Sequence, residues 1–460
     1  MKAKKIDINK SLIFFLFFHL VIWTLVPSIS NTNLPLDTIE ALAWGSNLDW
    51  GYNKHPPVSA WATILFFQIF GSQDWAYYFL SQLFVVSAFF IVFKFSEDFF
   101  KNKILSLISI LLLEGIYFYN FTTPEFNVYV CQLPFRALTV YFCWKSIKNN
   151  DPLNWILFGL FAALGFLSHY LFFYLIFALS IYFLIILRKQ KKFNLSYLIP
   201  GAVFLIVILP HLIWLMENNY TTLTYAFHRT GLSEANLLNH LFHPFILLGK
   251  QTGIILPFLF MFLIIISKIK IKTKIQDKRL LFLLIINVAP LILIFLTSMF
   301  MGVKIRTMWM SPFYLFLGVL FLYLYEKKIV LSKLKYFFSA FLILFIFSPS
   351  VYLYVSITQK NKRTDYPGKE IAKSVEEKWN NNFTNTIKSV IGDEWHAGNL
   401  SYHLNSNPKW YSHKNAFVEK SVDDFISTIG KDGFIIVNGE CADGISFIIR
   451  NNNICMYGKK

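Results

Sequence analysis

The sequence has little charge, and negative charge is the scarcer kind. Only 15% of the 460 residues are charged, and 26 Asp and Glu stand against 43 Lys and Arg. A soluble protein of this length needs far more polar surface to cover its core, so a soluble globular fold is excluded. Hydrophobic residues instead make up 55% of the chain and include 51 Phe, as expected where lipid is the solvent.

Cysteine is also scarce, with four residues in the whole chain. Four are too few for the disulfide framework of a small secreted protein, and Cys131 and Cys143 fall in or near an apolar segment. Cys441 and Cys455 lie in the C-terminal region, where a disulfide is permitted if that region is outside the cytoplasm. The sequence leaves open whether these two residues pair.

The net charge of +17 would be compatible with nucleic-acid binding. The basic residues, however, form clusters that are separated by apolar runs, as the positive-inside rule describes for cytoplasmic loops. The charge therefore sets the topology, and no nucleic-acid partner is expected. The clusters are Lys2–Lys10, Lys94–Lys103, Lys145–Lys148, Arg188–Lys192, Lys268–Arg279 and Lys327–Lys335.

Apolar runs long enough to span a membrane recur along the first three quarters of the chain. The first, Leu12 to Val26, lacks a small-x-small cleavage site and is interpreted as an uncleaved helix rather than a signal peptide. We predict a polytopic α-helical membrane protein with about eleven transmembrane helices, which begins inside and ends outside. The predicted spans lie near residues 11–28, 75–94, 103–119, 128–144, 154–170, 171–187, 196–215, 251–268, 280–301, 309–325 and 336–356.

The chain divides into a membrane domain, residues 1–356, and a polar C-terminal domain, residues 357–460. Two segments of the membrane domain, 29–74 and 216–250, are long outer-face loops, and the apolar stretch from 58 to 70 is too short to span. In the C-terminal domain, a helical pattern at Lys369–Trp379 precedes strand-like runs, which predicts a small periplasmic α/β domain. These runs are Ser389–Ile391, Gly433–Val437 and Ile445–Ile449.

The first outer segment contains the side chains that are best suited to catalysis or ligand binding. Asp37 and Glu40 are three residues apart, so on a helix they share one face. Lys54 and His55 follow beside a proline pair, and together these groups suit a general base and a phosphate or metal site. An ordinary hydrated loop with surface charges is the alternative interpretation.

A family resemblance rests on the order of residues in that segment. Asp37, Glu40, Ala41 and Trp44 are followed by Asp49-Trp50-Gly51-Tyr52, His55-Pro56-Pro57, Ala60 and Trp61. This run resembles the first outer loop of the polyprenyl-phosphate-sugar glycosyltransferases of the GT-C class. It is most similar to the bacterial relatives of the protein O-mannosyltransferases, which include lipid A aminoarabinose transferases and rhizobial galacturonosyltransferases. Further similarity lies in Gly159–Tyr170, Pro210–Gly231 and Gly392–Asn399.

The resemblance implies roles for individual residues. Asp37 is the candidate base, with Glu40 and Glu125 as further catalytic carboxylates. Five basic residues from different outer loops are candidate partners of the donor phosphate, with solvated charge or lipid-headgroup contact as the alternative for each. They are Lys54, His55, Arg229, Lys304 and Arg306.

Two departures from the family pattern bear on a metal. Lys54 stands where relatives often have an acidic residue that helps to hold a divalent ion, and His169 replaces the usual Lys of a Ser-Lys-Tyr motif. A divalent metal is therefore the one cofactor that stays open. A metal role for His240 and His243 is a weaker alternative, because Pro244 disfavours one shared helix face.

Glu114, inside an apolar span, is either functional or snorkels toward water.

The sequence thus predicts inverting transfer of a sugar from a polyprenyl-phosphate donor on the periplasmic face of a bacterial inner membrane. The expected acceptor is an envelope glycolipid, lipid A or lipopolysaccharide core, with protein or another glycan as alternatives, and membrane lipid surrounds the protein. A transporter or flippase for lipid-linked sugars is the competing hypothesis. It predicts paired halves and midplane charges.

Overall fold

The structure is a computed structural model, and it describes residues 7–190, 194–232, 236–269, 277–412, 433–439, 441 and 444–460. Helices make up most of these residues, and the strands are confined to the C-terminal part. The helices are α1 Ile8–Ser30, α2 Leu36–Gly45, α3 Val58–Phe70, α4 Asp74–Phe100, α5 Lys103–Leu111, α6 Val128–Asn149, α7 Pro152–Ser168, α8 Phe173–Gln190, α9 Ile199–Glu217, α10 Thr221–Arg229, α11 Asn239–Ile265, α12 Lys278–Asn287, α13 Ala289–Met301, α14 Leu317–Leu324, α15 Leu334–Thr358, α16 Gly368–Asn380 and α17 His396–His403.

The described helices confirm a multi-pass membrane protein. Seven are long and apolar enough to cross a membrane, and a pair bent by 53°, Thr307–Tyr314 with Leu317–Leu324, would make an eighth. Each remaining predicted span also contains helix, but α5 has nine residues, α7 has 17, and α6 is less apolar than the seven. The predicted count of eleven spans therefore stays a prediction.

Asn and Asp side chains fix where several bundle helices begin. Asn127 accepts hydrogen bonds from the N–H groups of Tyr129 and Val130 at the start of α6, both at 3.0 Å. Asn102 and Asp151 cap α5 and α7 in the same way. Such caps satisfy backbone donors that have no partner within the helix, a need that is acute in an apolar medium.

The helices α7 and α9 pack closely because α7 has a glycine at the contact. A Cβ atom on Gly159 would lie 2.5 Å from the carbonyl oxygen of Pro200. Small residues at such positions let two backbones approach, which is a main source of packing energy between helices in lipid. Gly159 belongs to the glycine-spaced segment that carries part of the family resemblance.

A polar pair lies inside the bundle. Glu114 is 3% exposed, and its Oε1 lies 2.8 Å from Nδ1 of His19 on α1. Asn120 donates its amide to the other carboxylate oxygen at 3.2 Å and accepts a hydrogen bond from Ser348 of α15. Glu114 therefore does not snorkel toward water but helps to link α1 and α15, as buried polar groups need partners.

The C-terminal residues 357–460, which we call the tail, contain a five-stranded sheet. Its order is β2-β1-β3-β5-β4, with β1 parallel to β2 and β3 and with β5 antiparallel to β3 and β4. The helical pattern and the three predicted strand runs are confirmed, whereas β2 and β5 were not predicted. A disulfide joins Cys441 to Cys455 of β5. The strands are β1 Ser389–Ile391, β2 Lys409–Tyr411, β3 Phe434–Val437, β4 Ile445–Ile449 and β5 Asn452–Tyr457.

The helix α11 begins inside the segment predicted as the outer loop 216–250. Its first residue is Asn239, twelve residues before the predicted span, and Pro244 lies within its first turns. His240 and His243 lie on α11, and their Nδ1 atoms contact the carbonyl oxygens of Met299 and Gly302 at 2.8 and 2.9 Å. These contacts link α11 to the end of α13.

We predict that Gly159→Ala destabilises the bundle by roughly 1–3 kcal/mol, because the added methyl group must push α7 away from the α9 backbone. Thermal unfolding of the detergent-solubilised protein measures the effect. Gly253→Ala on α11 is the matched control, since a Cβ atom there has no neighbour within 4 Å. Equal unfolding temperatures for the two variants would contradict the close packing of α7 on α9.

Candidate active site

The candidate carboxylates meet at the start of α2. Pro35 precedes this helix and offers no side-chain cap. Glu125, from the loop before α6, supplies one instead, since its Oε1 accepts a hydrogen bond from the Asp37 N–H at 3.0 Å. The hydroxyl of Thr38, the residue after Asp37, donates a hydrogen bond at 3.1 Å to the carbonyl of Phe126, the residue after Glu125. The loop and the first turn of α2 are thereby fixed against each other.

Burial raises the pKa of these carboxyl groups. It raises the pKa of Asp37 to about 8, with a further contribution from the nearby Glu125 charge. Burial likewise raises the pKa of Glu125, and it raises that of Glu40 to about 7 despite the neighbouring Lys54. Carboxyl groups whose pKa values lie near neutrality accept a proton more strongly than ordinary carboxylates, which suits general-base chemistry.

Lys54 bridges two carboxylates from different parts of the chain. Its Nζ lies 2.8 Å from Oε1 of Glu40 on α2 and 3.3 Å from Oε2 of Glu394 in the tail. Burial lowers the pKa of Lys54, but the attraction of Glu40 and Glu394 outweighs burial and leaves the pKa above its ordinary value. The ammonium group is therefore charged at neutral pH.

Two histidines line the same cavity as neutral rings. The ring centres of His55 and His169 are 5.6 Å apart, and the ring centre of Tyr129 lies 5.1 Å from that of His169. Burial lowers the pKa of His169 to about 3 and that of His55 well below its usual range. These imidazoles can donate or accept a hydrogen bond at neutral pH, but they contribute no positive charge.

All these groups face one cavity of about 1130 Å³. Arg229 and Arg306, two of the predicted phosphate partners, line it, and so do Arg363 and Glu394 of the tail, which sequence reasoning did not propose as site residues. Lys304 is not among the lining residues; its backbone N–H bonds to the carbonyl of Thr230, beside Arg229. Further lining residues of the cavity are Phe166, Tyr174, Leu212, Leu215 and Met301.

His211 has an anchoring role at the edge of this region. Its Nδ1 lies 2.6 Å from the carbonyl oxygen of Trp50, and its Nε2 lies 2.8 Å from the Tyr170 hydroxyl. The ring thus connects α9 to the loop that carries Lys54 and His55.

The residues around Lys54 do not fit a bound metal ion. Within the described part of the chain, no three His, Cys, Asp or Glu side chains are grouped so that they could hold one. Glu40 and Glu394, which would be natural ligands, instead flank the Lys54 ammonium group.

Comparison with solved structures confirms the predicted fold class, a polytopic helical membrane protein of the GT-C type with a small C-terminal domain. A solved structure of ArnT from Cupriavidus metallidurans, bound to undecaprenyl phosphate, matches with a TM-score of 0.61. The match covers 97% of this chain and 98% of that one, at 12% sequence identity. At this identity the likeness establishes the architecture alone.

A family model provides a second, sequence-based match. The model described as dolichyl-phosphate-mannose-protein mannosyltransferase matches residues 54–214, less than half of the chain. A search of curated proteins gives no match. The family model and the ArnT-like fold together support a glycosyltransferase, the predicted enzyme class.

We predict that Glu125→Gln lowers the pKa of Asp37, because the substitution removes a negative charge but keeps an acceptor for the Asp37 N–H. Carbodiimide labels protonated carboxyl groups in apolar surroundings, and peptide mass spectrometry quantifies labelling at Asp37. In the unmodified protein, labelling should fall as the pH rises through about 8. In Glu125→Gln, the fall should occur at lower pH.

Glu370→Gln serves as the control for this experiment. Glu370 is an exposed residue of the tail, 3.6 Å from Arg450, and it does not line the cavity. Identical labelling curves for the unmodified protein and Glu125→Gln would show that the two carboxyl groups are not electrostatically coupled.

Proposed function

We propose that the protein transfers a sugar from a polyprenyl-phosphate donor to an envelope glycolipid on the periplasmic face of a bacterial inner membrane. One observation carries the proposal: a single cavity is lined by the half-buried pair Asp37 and Glu125 and by the arginines 229, 306 and 363. A base and a set of permanent positive charges are what displacement of a lipid phosphate requires. The ArnT likeness and the family model point to the same donor class.

In the proposed reaction an acceptor hydroxyl attacks the anomeric carbon of the sugar. Asp37, in its ionised form, takes the hydroxyl proton as the new C–O bond forms. The bond between the anomeric carbon and the phosphate oxygen breaks, and its electron pair stays on the lipid phosphate. A single displacement of this kind inverts the anomeric configuration.

The arginines suit the phosphate because negative charge on it grows as the bond breaks. Guanidinium groups stay charged at any physiological pH and bind phosphate in a bidentate manner. Lys54 supplies a further positive charge at the same wall, while neutral His55 and His169 can donate hydrogen bonds. The donor phosphate is therefore expected near Arg229 and Arg306.

An apolar groove beside the cavity suits the polyprenyl chain. It has a volume of about 380 Å³ between α7, α8 and α9 and is lined largely by apolar residues such as Ala162 and Phe204. Phe204 contacts Phe166, which lines the site cavity, with their ring centres 5.8 Å apart. A lipid whose phosphate lies in the cavity could thus extend its chain along this groove into the bilayer.

We predict that Ser180→Trp, which fills the groove, raises KM for an undecaprenyl-phosphate sugar. Losing the burial of about two methylene groups of the donor costs about 1.6 kcal/mol, which raises KM roughly tenfold. A donor with a ten-carbon chain, too short to follow the groove, should be affected little. Transfer kinetics with both donors test this. Ser350→Trp on α15 is the control, because Ser350 is also exposed but does not line the groove.

The acceptor proposal rests on the position of the site beside the membrane surface and on the family resemblance. Protein and another glycan are the alternatives, and the experiment below separates them. The transporter hypothesis predicts paired halves and midplane charges. Inside the bundle Glu114 is paired with His19, and neither residue lines the site cavity.

We predict that deleting the gene removes a sugar-sized mass from an envelope glycolipid, and that the wild-type chain restores it. Asp37→Asn should not restore it, since the amide cannot take the proton. Mass spectrometry of extracted glycolipids gives the readout, at matched membrane levels of each variant. Asp151→Asn is the control, because Asn can still cap α7.

Full restoration by Asp37→Asn would remove Asp37 from the role of base. Unchanged glycolipids in the deletion strain would contradict the glycolipid acceptor, and a change in glycosylated protein would then identify the alternative.

A further inference from the structure

One loop of the tail reaches the catalytic carboxylates. Glu394 lies in this loop, and both of its carboxylate oxygens are engaged by neighbouring residues of the first outer segment. Its Oε1 accepts a hydrogen bond from the Asn53 amide at 2.7 Å, and its Oε2 lies 3.3 Å from the Lys54 ammonium group. Glu394 is 13% exposed at its side chain, so this contact is largely shielded from water.

The loop itself is held by its own hydrogen bonds. Asp393 accepts from the N–H groups of Trp395 and His396, both at 2.8 Å, and caps the start of α17. Its other carboxylate oxygen lies 2.9 Å from Nδ1 of His396. Glu394 therefore projects from a fixed turn.

The helix that follows the loop is packed directly on α2. A Cβ atom on Gly398 would lie 3.1 Å from the Cβ of Ala43 and 3.2 Å from Cγ2 of Ile39. Asn33, just before α2, donates to Asn399 at 2.9 Å. The position of Glu394 is thus tied to the helix that carries Asp37 and Glu40.

We infer that Glu394 is a positioning residue of the transfer reaction: with Glu40 it holds Lys54 as a protein-borne cation at the cavity wall. The inference rests on the proposed function for its effect on rate. It goes beyond that function by making the tail a component of the active site. It also assigns to Lys54 the place between two carboxylates that a divalent ion would otherwise fill.

The physical reason is that one carboxylate does not fix a lysine. A long side chain with a single ion pair keeps several conformations, and such pairs contribute little. A second carboxylate on the opposite side restricts the ammonium group to the space between them. Fixed charge at the wall is most effective as negative charge develops on the departing phosphate, so its loss should lower kcat more than it raises donor KM.

The charged and titratable groups that face Lys54 come from five parts of the fold. Glu40 and Asp37 belong to α2, and Tyr225 and Arg229 belong to α10. Glu394 and Arg363 belong to the tail, Glu125 lies before α6, and His55 is the next residue in the chain. Of these, Glu394 is the acidic group that the bundle does not supply.

The test compares Glu394→Gln with the unmodified protein. Gln keeps the acceptor for Asn53 but removes the charge that holds Lys54. Transfer is measured from a panel of undecaprenyl-phosphate pentoses and hexoses to a glycolipid extract of the deletion strain. We expect kcat to fall roughly tenfold with donor KM changed less than about threefold. Glu394→Asp should recover part of the loss, and Glu370→Gln should behave as the unmodified protein.

A second readout does not depend on catalysis. Acylation of Lys54 by an amine-reactive reagent, followed by peptide mass spectrometry, should increase at a given pH in Glu394→Gln, because the lysine loses a partner that favours its charged form. Unchanged Lys54 labelling together with unchanged kcat would overturn the inference. If the unmodified protein transfers no sugar from the panel, the proposed function fails, while Lys54 labelling still decides whether Glu394 holds the lysine.

Chelation tests the protein-borne cation. Excess EDTA should leave the rate of the unmodified protein unchanged. A rate that EDTA abolishes and Mg²⁺ or Zn²⁺ restores would overturn this part of the inference.

Discussion

Carboxyl groups that share one cavity repel one another, and the repulsion grows where the protein partly shields them from water. Asp37, Glu40, Glu125 and Glu394 line the same cavity, so the surrounding structure must either neutralise them or raise their pKa values. Both occur here. Lys54 lies between Glu40 and Glu394, while the pKa of Asp37 rises to about 8 beside Glu125. Much of the site geometry follows from this balance of charge.

The balance also explains why distant parts of the chain converge. The helix α2 needs a hydrogen-bond acceptor at its start that Pro35 cannot give, and Glu125 provides it from 88 residues away. The same bond brings a second negative charge next to Asp37 and so adjusts its proton affinity. One hydrogen bond thus serves both the local stability of α2 and the raised pKa of Asp37.

Some of this arrangement could be predicted from sequence because it depends on local spacing. The shared face of Asp37 and Glu40 follows from their separation of three residues, and the apolar stretch from 58 to 70 forms α3. Pro244 was expected to disfavour a helix at His240 and His243, yet both lie on α11, because helices in lipid tolerate proline more readily than soluble ones. Strand β2 is as short as β1 but lacks the β-branched residues that indicated β1.

The contribution of the tail to the site could not be predicted. The segment Gly392–Asn399 attracted notice only for its family resemblance, since nothing in the local sequence places Glu394 next to Lys54. That contact depends on the packing of α17 on α2, where Gly398 allows a close approach. Docking between parts of a chain that are more than 300 residues apart is decided by surface complementarity, which sequence periodicity does not contain.

The position of Glu394 and Arg363 after the membrane bundle has a consequence for biogenesis. Membrane helices insert in order as the ribosome delivers them, so α2 and its acidic residues reach the bilayer long before the tail is synthesised. During that interval Lys54 has one carboxylate partner and the cavity lacks a wall. The cavity is completed only after the tail has been synthesised and α17 docks on α2. A chain that is terminated before the tail would retain the bundle without the assembled cavity.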